Sequence, residues 1–210
     1  MALVQGRPFL EWQLRDLERQ GIRRVVLSVG YLAEKIMAHF GLRYGMLEID
    51  YAREEEPLGT GGALRLALQK VRATRCVILN GDSFFEVNLQ TMEREHEATN
   101  ADFTLGLKFL KERGRYGAVE VEDGRVTAFV EKSEAKSNQG LINGGVYLTQ
   151  TGLLEGASWP ERFSLEQDFL AQHCASRHFH GHISEGFFID IGVPEDYKSA
   201  QSSPFFRSLS

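Results

Sequence analysis

The sequence has few of the residues that mark several large classes of protein. Of its 210 residues, 2 are cysteine and 5 are proline, which argues against a disulfide framework and a proline-rich disordered chain. Cys76 and Cys174 lie far apart and form no CxxC pair, so we predict that both are reduced, buried thiols. No apolar run approaches the roughly 18 residues that span a membrane, and residues 1–12 lack the features of a secretion signal. We therefore expect a cytoplasmic protein without a membrane partner.

Basic charge is also scarce. The chain has 24 Lys and Arg against 29 Asp and Glu, a formal net charge of −5. Nucleic acids are bound through basic surfaces, so nucleic acid is not an expected partner, and any phosphate ligand must be held locally. The hydrophobic share of 42% and the charged share of 25% are ordinary for a folded globular protein.

The spacing of apolar residues predicts alternating helices and strands. Strands are expected at 24–29, 47–51 and 76–80, with helices at 9–17, 31–40 and 62–71. Strands apolar on both faces and separated by such helices are typical of a parallel sheet. Residues 103–109, 118–121 and 125–130 instead alternate in period two, with a hairpin turn at Asp123-Gly124. We predict one α/β domain over 1–210, a doubly wound, mostly parallel, Rossmann-like sheet with helices on both faces, into which a β-rich region of antiparallel hairpins, 103–149, is inserted.

Candidate binding residues follow the predicted strands, because ligands of such sheets bind beyond the carboxyl ends of the strands. The first group is a glycine-rich turn before a helix, and the second ends in a carboxylate. The glycine-rich turn consists of Leu58, Gly59, Thr60, Gly61 and Gly62. The second group consists of Asn80, Gly81 and Asp82. The turn either admits a ligand to the backbone or is a plain strand-to-helix turn. Asp82, like Asp190 after a later strand, is either a Mg²⁺ ligand or a turn residue.

Several later residues are also open to two interpretations. Glu131 and Lys132 could contact a sugar hydroxyl and a phosphate, or form a solvated pair. Asn143 and Gly144 could offer an amide and an approachable backbone. Glu166 and Asp168 follow Ser164, where acidic groups also favour a helix N-terminus without any further role.

Three histidines have the spacing of a metal-binding strand. His178, His180 and His182 would point to one face of a strand. The alternative is an exposed strand face beside Gly181.

The order of these residues along the chain resembles one family. LGTGG at 58–62, NGD at 80–82, YG at 116–117, EK at 131–132, NGG at 143–145, SLE at 164–166 and FIDIGVPEDY at 188–197 resemble the sugar-1-phosphate nucleotidyltransferases, also called nucleoside-diphosphate-sugar pyrophosphorylases. Within them, GRPFLE at 6–11, VGY at 29–31 and the last two segments most resemble the D-glycero-α-D-manno-heptose 1-phosphate guanylyltransferases.

The resemblance implies a role for each matching residue. Asp82 and Asp190 would hold Mg²⁺, and Lys132 would contact the sugar's phosphate. A nucleotide site would be formed by Leu58, Gly59, Thr60, Gly61, Asn80 and Gly81. The sugar would be contacted by Tyr116, Gly117, Glu131, Asn143, Gly144 and Glu166. The implied partners are a nucleoside triphosphate and a sugar 1-phosphate, with a homo-oligomer open.

The implied reaction is transfer of a nucleotidyl group, with GTP and heptose 1-phosphate as the expected substrates. A mannose or glucose 1-phosphate enzyme and a non-catalytic nucleotide-sugar-binding homologue are the alternatives. Members of the family begin with a strand, a G-G-x-G-T-R-L loop and a Lys-Pro pair that nothing before Met1 matches. The resemblance therefore implies a chain truncated at its N-terminus, which on its own would lack the triphosphate loop.

Overall fold

A computed structural model of the chain describes residues 1–131, 137–155 and 158–209. The chain divides into two compact units, each made of segments that are separate in sequence. The first unit comprises Met1–Ala73, Leu154–Asp168 and Asp190–Ser210, and the second comprises Thr74–Leu153 and Phe169–Ile189. Within the described residues no helix has the length and apolar character needed to cross a membrane. The single domain predicted from the sequence stays a prediction.

The helices of the described residues include the three expected from apolar spacing at 9–17, 31–40 and 62–71. They are α1 (Phe9–Arg19), α2 (Ala33–Phe40), α3 (Gly59–Leu68), α4 (Leu89–Thr99), a π-helix (Leu165–Leu170), α5 (Ala171–His173), α6 (Pro194–Ser202) and α7 (Pro204–Ser208).

The strands have 2 to 11 residues, and the two longest lie in the second unit. They are β1 (Leu3–Val4), β2 (Arg7–Pro8), β3 (Arg24–Val29), β4 (Arg43–Tyr44), β5 (Leu47–Arg53), β6 (Arg75–Leu79), β7 (Ser83–Phe85), β8 (Phe103–Leu110), β9 (Ala118–Glu122), β10 (Arg125–Val130), β11 (Gly140–Gln150), β12 (Phe179–Ile183) and β13 (Phe188–Asp190).

The first unit is built on a three-stranded sheet in the order β3-β5-β4. β3 and β5 are parallel, with Val25 opposite Ile49 and Leu27 opposite Tyr51. A crossover through α2 joins them, as the spacing predicts. Buried side chains of α1, α2, β3 and β5 form one core. The N-terminal segment also packs on the last helix, where Phe206 lies 5.3 Å from the Trp12 ring.

The second unit is built on a six-stranded sheet in the order β6-β11-β8-β12-β10-β9. The predicted hairpin is confirmed: β9 and β10 pair antiparallel, and Asp123 and Gly124 adopt positive φ at the turn. β8 and β12 are parallel, whereas β11 pairs antiparallel with both β6 and β8. β7 and β13 form a separate two-stranded sheet.

The α/β class is confirmed, and the pairing of β6 differs from the expectation. The sequence predicted a parallel neighbour for this apolar strand, but in the described residues it pairs antiparallel with β11, with Val146 opposite Leu79. β11 has eleven residues, most of them buried. β11 lies between two neighbours because β6 satisfies its backbone hydrogen bonds on one edge and β8 satisfies them on the other.

Candidate functional site

The glycine-rich turn of the first unit connects β5 to α3. The backbone N–H of Leu58 donates to Oε2 of Glu54 at 3.0 Å, which fixes the chain just before the helix. Gly59 then adopts φ +71° and begins α3. Positive φ is costly for residues with a Cβ, so this position favours glycine on backbone grounds.

The glycines of this turn are closely packed against residues 161–163. A Cβ on Gly59 would lie 2.5 Å from the carbonyl oxygen of Phe163, and one on Gly61 would lie 2.2 Å from its ring. A Cβ on Gly62 would lie 2.6 Å from the carbonyl oxygen of Glu161. The glycines therefore have a packing role that the sequence did not indicate. Their assignment to the nucleotide site stays a prediction.

Two backbone hydrogen bonds hold this contact together. The N–H of Gly61 donates to the carbonyl of Phe163 at 3.0 Å, and the N–H of Phe163 donates to the carbonyl of Leu58 at 3.1 Å. The Phe163 ring stacks on Trp159 with centroids 5.1 Å apart. The side chain of Thr60 extends the contact to the next residues, because its Oγ1 accepts the N–H of Leu165 at 2.8 Å and donates to Glu166 at 2.8 Å.

Ser164 caps the π-helix as the sequence predicts. Its Oγ accepts the N–H of Gln167 at 3.1 Å, and Oδ2 of Asp168 accepts the N–H of Ser164 at 2.7 Å. This reciprocal arrangement satisfies N–H groups that a helix start otherwise leaves unpaired. Asp168 is thus explained by capping.

In the second unit the structure brings Asn80 together with the Asn143-Gly144-Gly145 segment. The N–H of Asn80 donates to the carbonyl of Gly145 at 2.8 Å. The pairing of β11 with β8 shifts register between Asn143 and Tyr147, which marks a bulge. A Cβ on Gly144 would lie 2.2 Å from the Phe85 ring. Gly144 is therefore required by packing on Phe85, whether or not a ligand approaches it.

The amide of Asn143 is held within this bulge. Its Nδ2 donates to the hydroxyl of Tyr147 at 2.8 Å, and its Oδ1 accepts the N–H of Gly145 at 3.1 Å. Gly81 differs from the packed glycines, since a Cβ there would meet nothing within 4 Å. Gly6, Gly21, Gly41 and Gly114 are equally open, so the space at Gly81 does not by itself indicate a ligand.

The Tyr116-Gly117 turn is supported by a buried arginine. Arg113 is 4% exposed, and its guanidinium donates to the carbonyl of Tyr116 at 3.4 Å and to the carbonyl of Ser137. Its Nε has no hydrogen-bond partner in the described residues. The Tyr116 ring contacts the ring of Phe188 edge to face, with centroids 5.7 Å apart. Arg113 was not singled out from the sequence, where it is one cation in a charged stretch.

The two predicted metal ligands follow or precede short strands. Asp82 is exposed and directly precedes β7. Asp190 ends β13, and its Oδ1 accepts the N–H of Gly192 at 2.7 Å. Glu131 is exposed after β10, and Lys132 lies outside the described residues. The described residues contain no cluster of three or more His, Cys, Asp or Glu side chains able to hold a metal.

Two of the three closely spaced histidines, His180 and His182 on β12, contact a carboxylate. Nε2 of His180 and Nδ1 of His182 lie 3.2 and 2.6 Å from Oε2 of Glu95 on α4. Burial alone would raise the pKa of Glu95, but hydrogen bonds and charge from the two histidines together hold it below its usual 4.5. The backbone N–H of His178 donates to Asp102. A hydrogen-bonded cluster between helix and strand thus accounts for His180 and His182.

Residues 1–204 match the family model described as nucleotidyl transferase. The chain belongs to this nucleotidyl transferase family.

Curated relatives within the family are similar over most of their length. The chain is 46% identical over 201 residues to a D-glycero-α-D-manno-heptose 1-phosphate guanylyltransferase of Aneurinibacillus thermoaerophilus, covering 96% of this chain and 86% of the relative. It is 39% identical over 198 residues to the enzyme of that name from Campylobacter jejuni, covering 94% and 86%. A crystal structure of HddC from Yersinia pseudotuberculosis complexed with GMP-PN aligns with a TM-score of 0.84 at 30% identity, covering 96% of this chain and 87% of that chain.

Proposed function

We propose that this protein transfers a guanylyl group from GTP to D-glycero-α-D-manno-heptose 1-phosphate, giving a nucleotide sugar and pyrophosphate. The observation that carries the proposal is the 46% identity over 201 residues to a guanylyltransferase of that substrate. The described residues add one supporting contact: Asn80, assigned to the nucleotide, is hydrogen-bonded to the bulge that holds Asn143, assigned to the sugar.

The reaction needs no nucleophilic side chain. An oxygen of the sugar phosphate attacks the α-phosphorus of GTP, the bond from that phosphorus to the bridging oxygen breaks, and pyrophosphate leaves with the electron pair. Positioning and charge neutralisation then supply most of the rate. We assign Lys132 to the sugar's phosphate, and Tyr116, Glu131, Asn143 and Glu166 to the sugar pocket.

Asp82 and Asp190 fit the proposed Mg²⁺ by their chemistry. Carboxylate oxygens are the protein ligands that Mg²⁺ prefers, and it takes only one or two of them beside phosphate oxygens and water. When bound, the ion neutralises charge on the transferring phosphate groups. The free thiols of Cys76 and Cys174 fit a reducing, cytoplasmic compartment.

The test is pyrophosphate release by the protein expressed from its complete coding sequence. It is incubated with Mg²⁺, each of GTP, ATP, CTP, UTP and dTTP, and the 1-phosphates of the heptose, mannose and glucose. We expect the highest kcat/KM for GTP with the heptose 1-phosphate. Preference for mannose or glucose 1-phosphate would support the hexose alternative. No release across the panel, combined with calorimetric binding of a nucleotide sugar, would make the protein a binding module.

Two substitutions test the metal ligands against a matched control. Asp82→Asn and Asp190→Asn remove one carboxylate charge each, and both should abolish turnover while unfolding stays cooperative. Asp123→Asn makes the same chemical change at the hairpin turn, where φ is +49° and asparagine is well tolerated. It should keep wild-type activity. Wild-type rates for either site variant would remove that residue from the site.

A further inference from the structure

The hydroxyl of Thr60 is fixed on both sides by residues more than a hundred positions away. Oγ1 accepts the N–H of Leu165 at 2.8 Å and lies 2.8 Å from Oε2 of Glu166. A hydroxyl has one proton, and a backbone N–H can only donate. The proton of Thr60 therefore points to the carboxylate. This assignment of donor and acceptor leaves a single orientation for the hydroxyl, unlike that of a freely rotating surface threonine.

The carboxylate of Glu166 is oriented by more than one hydroxyl. Besides Thr60, Oγ of Ser164 donates to the same Oε2 at 3.3 Å. Helix capping explains the bonds to the N–H groups, since Ser164, Asp168 and Thr60 accept those of Gln167, Ser164 and Leu165. Capping does not require the hydroxyls of Thr60 and Ser164 to meet the Glu166 carboxylate. Stability does not explain it well either, since Thr60 is exposed and exposed polar pairs contribute little to folding. What the contact does supply is a fixed direction for one carboxylate.

We propose that Thr60 is a positioning residue for the sugar 1-phosphate, which holds the Glu166 carboxylate in the direction needed to accept a sugar hydroxyl. The inference rests on the proposed function, in which Glu166 contacts the sugar. The resemblance assigns Thr60 to the nucleotide site. Here its side chain instead acts on the sugar 1-phosphate indirectly, by orienting Glu166. The turn and Glu166 are thereby joined within the first unit by side chains as well as by backbone.

Threonine variants with and without the hydroxyl separate this role from others. Thr60→Val keeps the size and β-branching but loses both hydrogen bonds, and Thr60→Ser keeps them. A hydrogen bond to a charged group is worth about a tenfold change in affinity. We expect Thr60→Val to raise the KM for the sugar 1-phosphate about tenfold and the KM for GTP less than about twofold. Thr60→Ser should stay near wild type.

A double-mutant cycle tests whether Thr60 acts through Glu166. In a Glu166→Gln background the carboxylate is already gone, so Thr60→Val should add less than about twofold to the sugar KM. Thr127→Val serves as the control, because Thr127 is a threonine on β10 whose hydroxyl donates to a backbone carbonyl at 3.3 Å and which belongs to no proposed site. It should leave both KM values unchanged, and the melting temperature of each variant establishes that it folds.

The outcomes separate this inference from the proposed function. Wild-type protein that releases no pyrophosphate with any pair of substrates would refute the proposed function and this inference with it. An active wild type whose Thr60→Val variant keeps its sugar KM would refute the inference alone. So would a Thr60→Val variant that raises the GTP KM instead, or one whose effect is undiminished in the Glu166→Gln background.

Discussion

Replacing Gly61 with alanine should destabilise the first unit through a clash with Phe163. The new Cβ would lie 2.2 and 2.3 Å from two ring carbons. The ring is 3% exposed, and Trp159 stacks on it, so it has little room to move. Overpacking of this kind costs at most about 3 kcal/mol in typical cases, and alanine returns about 1 kcal/mol of helix propensity. We therefore expect the free energy of unfolding to fall by about 2 kcal/mol.

The measurement is urea unfolding of Gly61→Ala beside a matched glycine. A Cβ on Gly30 would lie 3.8 Å from its nearest neighbour, Cβ of Glu54, which is ordinary contact, so Gly30→Ala should change stability by less than about 0.5 kcal/mol. Phe163→Leu should relieve the clash, so the double variant with Gly61→Ala should be at least about 1 kcal/mol more stable than the sum of the single effects predicts. Equal stabilities of Gly61→Ala and Gly30→Ala would refute the packing explanation of these glycines.

Three further predictions concern groups outside the proposed site. Glu95→Gln should lower the free energy of unfolding by about 0.5 to 1 kcal/mol at neutral pH. Because the pKa of Glu95 is lower in the folded state, its contribution to the free energy of unfolding is present above pH 4.5 and is lost as the pH falls through the folded-state value. A stability difference between Glu95→Gln and the wild type that persists in acid would contradict this. Burial raises the pKa of Cys76 to about 11, so a thiol reagent should modify it slowly at neutral pH until urea is added, and fast native labelling in a Cys174→Ser variant would argue otherwise. Arg113→Ala should cost about 1 to 3 kcal/mol in urea unfolding, because two carbonyls lose their donor; Arg113→Lys should recover only part, since an ammonium lacks the guanidinium fork.

Local patterns predicted the elements whose causes are local. β3 followed from a short β-branched run, β5 from apolar residues at alternate positions, and the hairpin of β9 and β10 from Asp123 and Gly124, which accept the positive φ of the turn. The cap at Ser164 was likewise found from the residues next to it. In each case the interaction joins residues within a few positions, so the sequence itself displays both partners.

Non-local partners could not be predicted in the same way. The antiparallel pairing of β6 with β11 joins segments about 70 positions apart, and periodicity has no information on which strand is adjacent. The glycines at 59, 61 and 62 pointed to close approach, but nothing near them indicated Phe163 as the group that approaches. His180 and His182 have the spacing of metal ligands. Their partner in the structure is Glu95, which lies on α4 more than 80 positions earlier, and the spacing of the histidines gives no information about it.

The pairing of the N-terminal segment with the last helices affects how the protein is made. Within the N-terminal segment, Nε1 of Trp12 donates to the carbonyl of Val4. The segment is held to the last helices by the N–H of Gln5, which donates to Oε1 of Gln201, 196 positions later. At the usual 5 to 20 residues per second of synthesis, the first helix waits roughly 10 to 40 seconds before Phe206 exists to cover Trp12. During that interval an aromatic surface is open to chaperones and to neighbouring chains. Yield in cells should therefore depend on the growth temperature more steeply than the stability of the finished protein suggests.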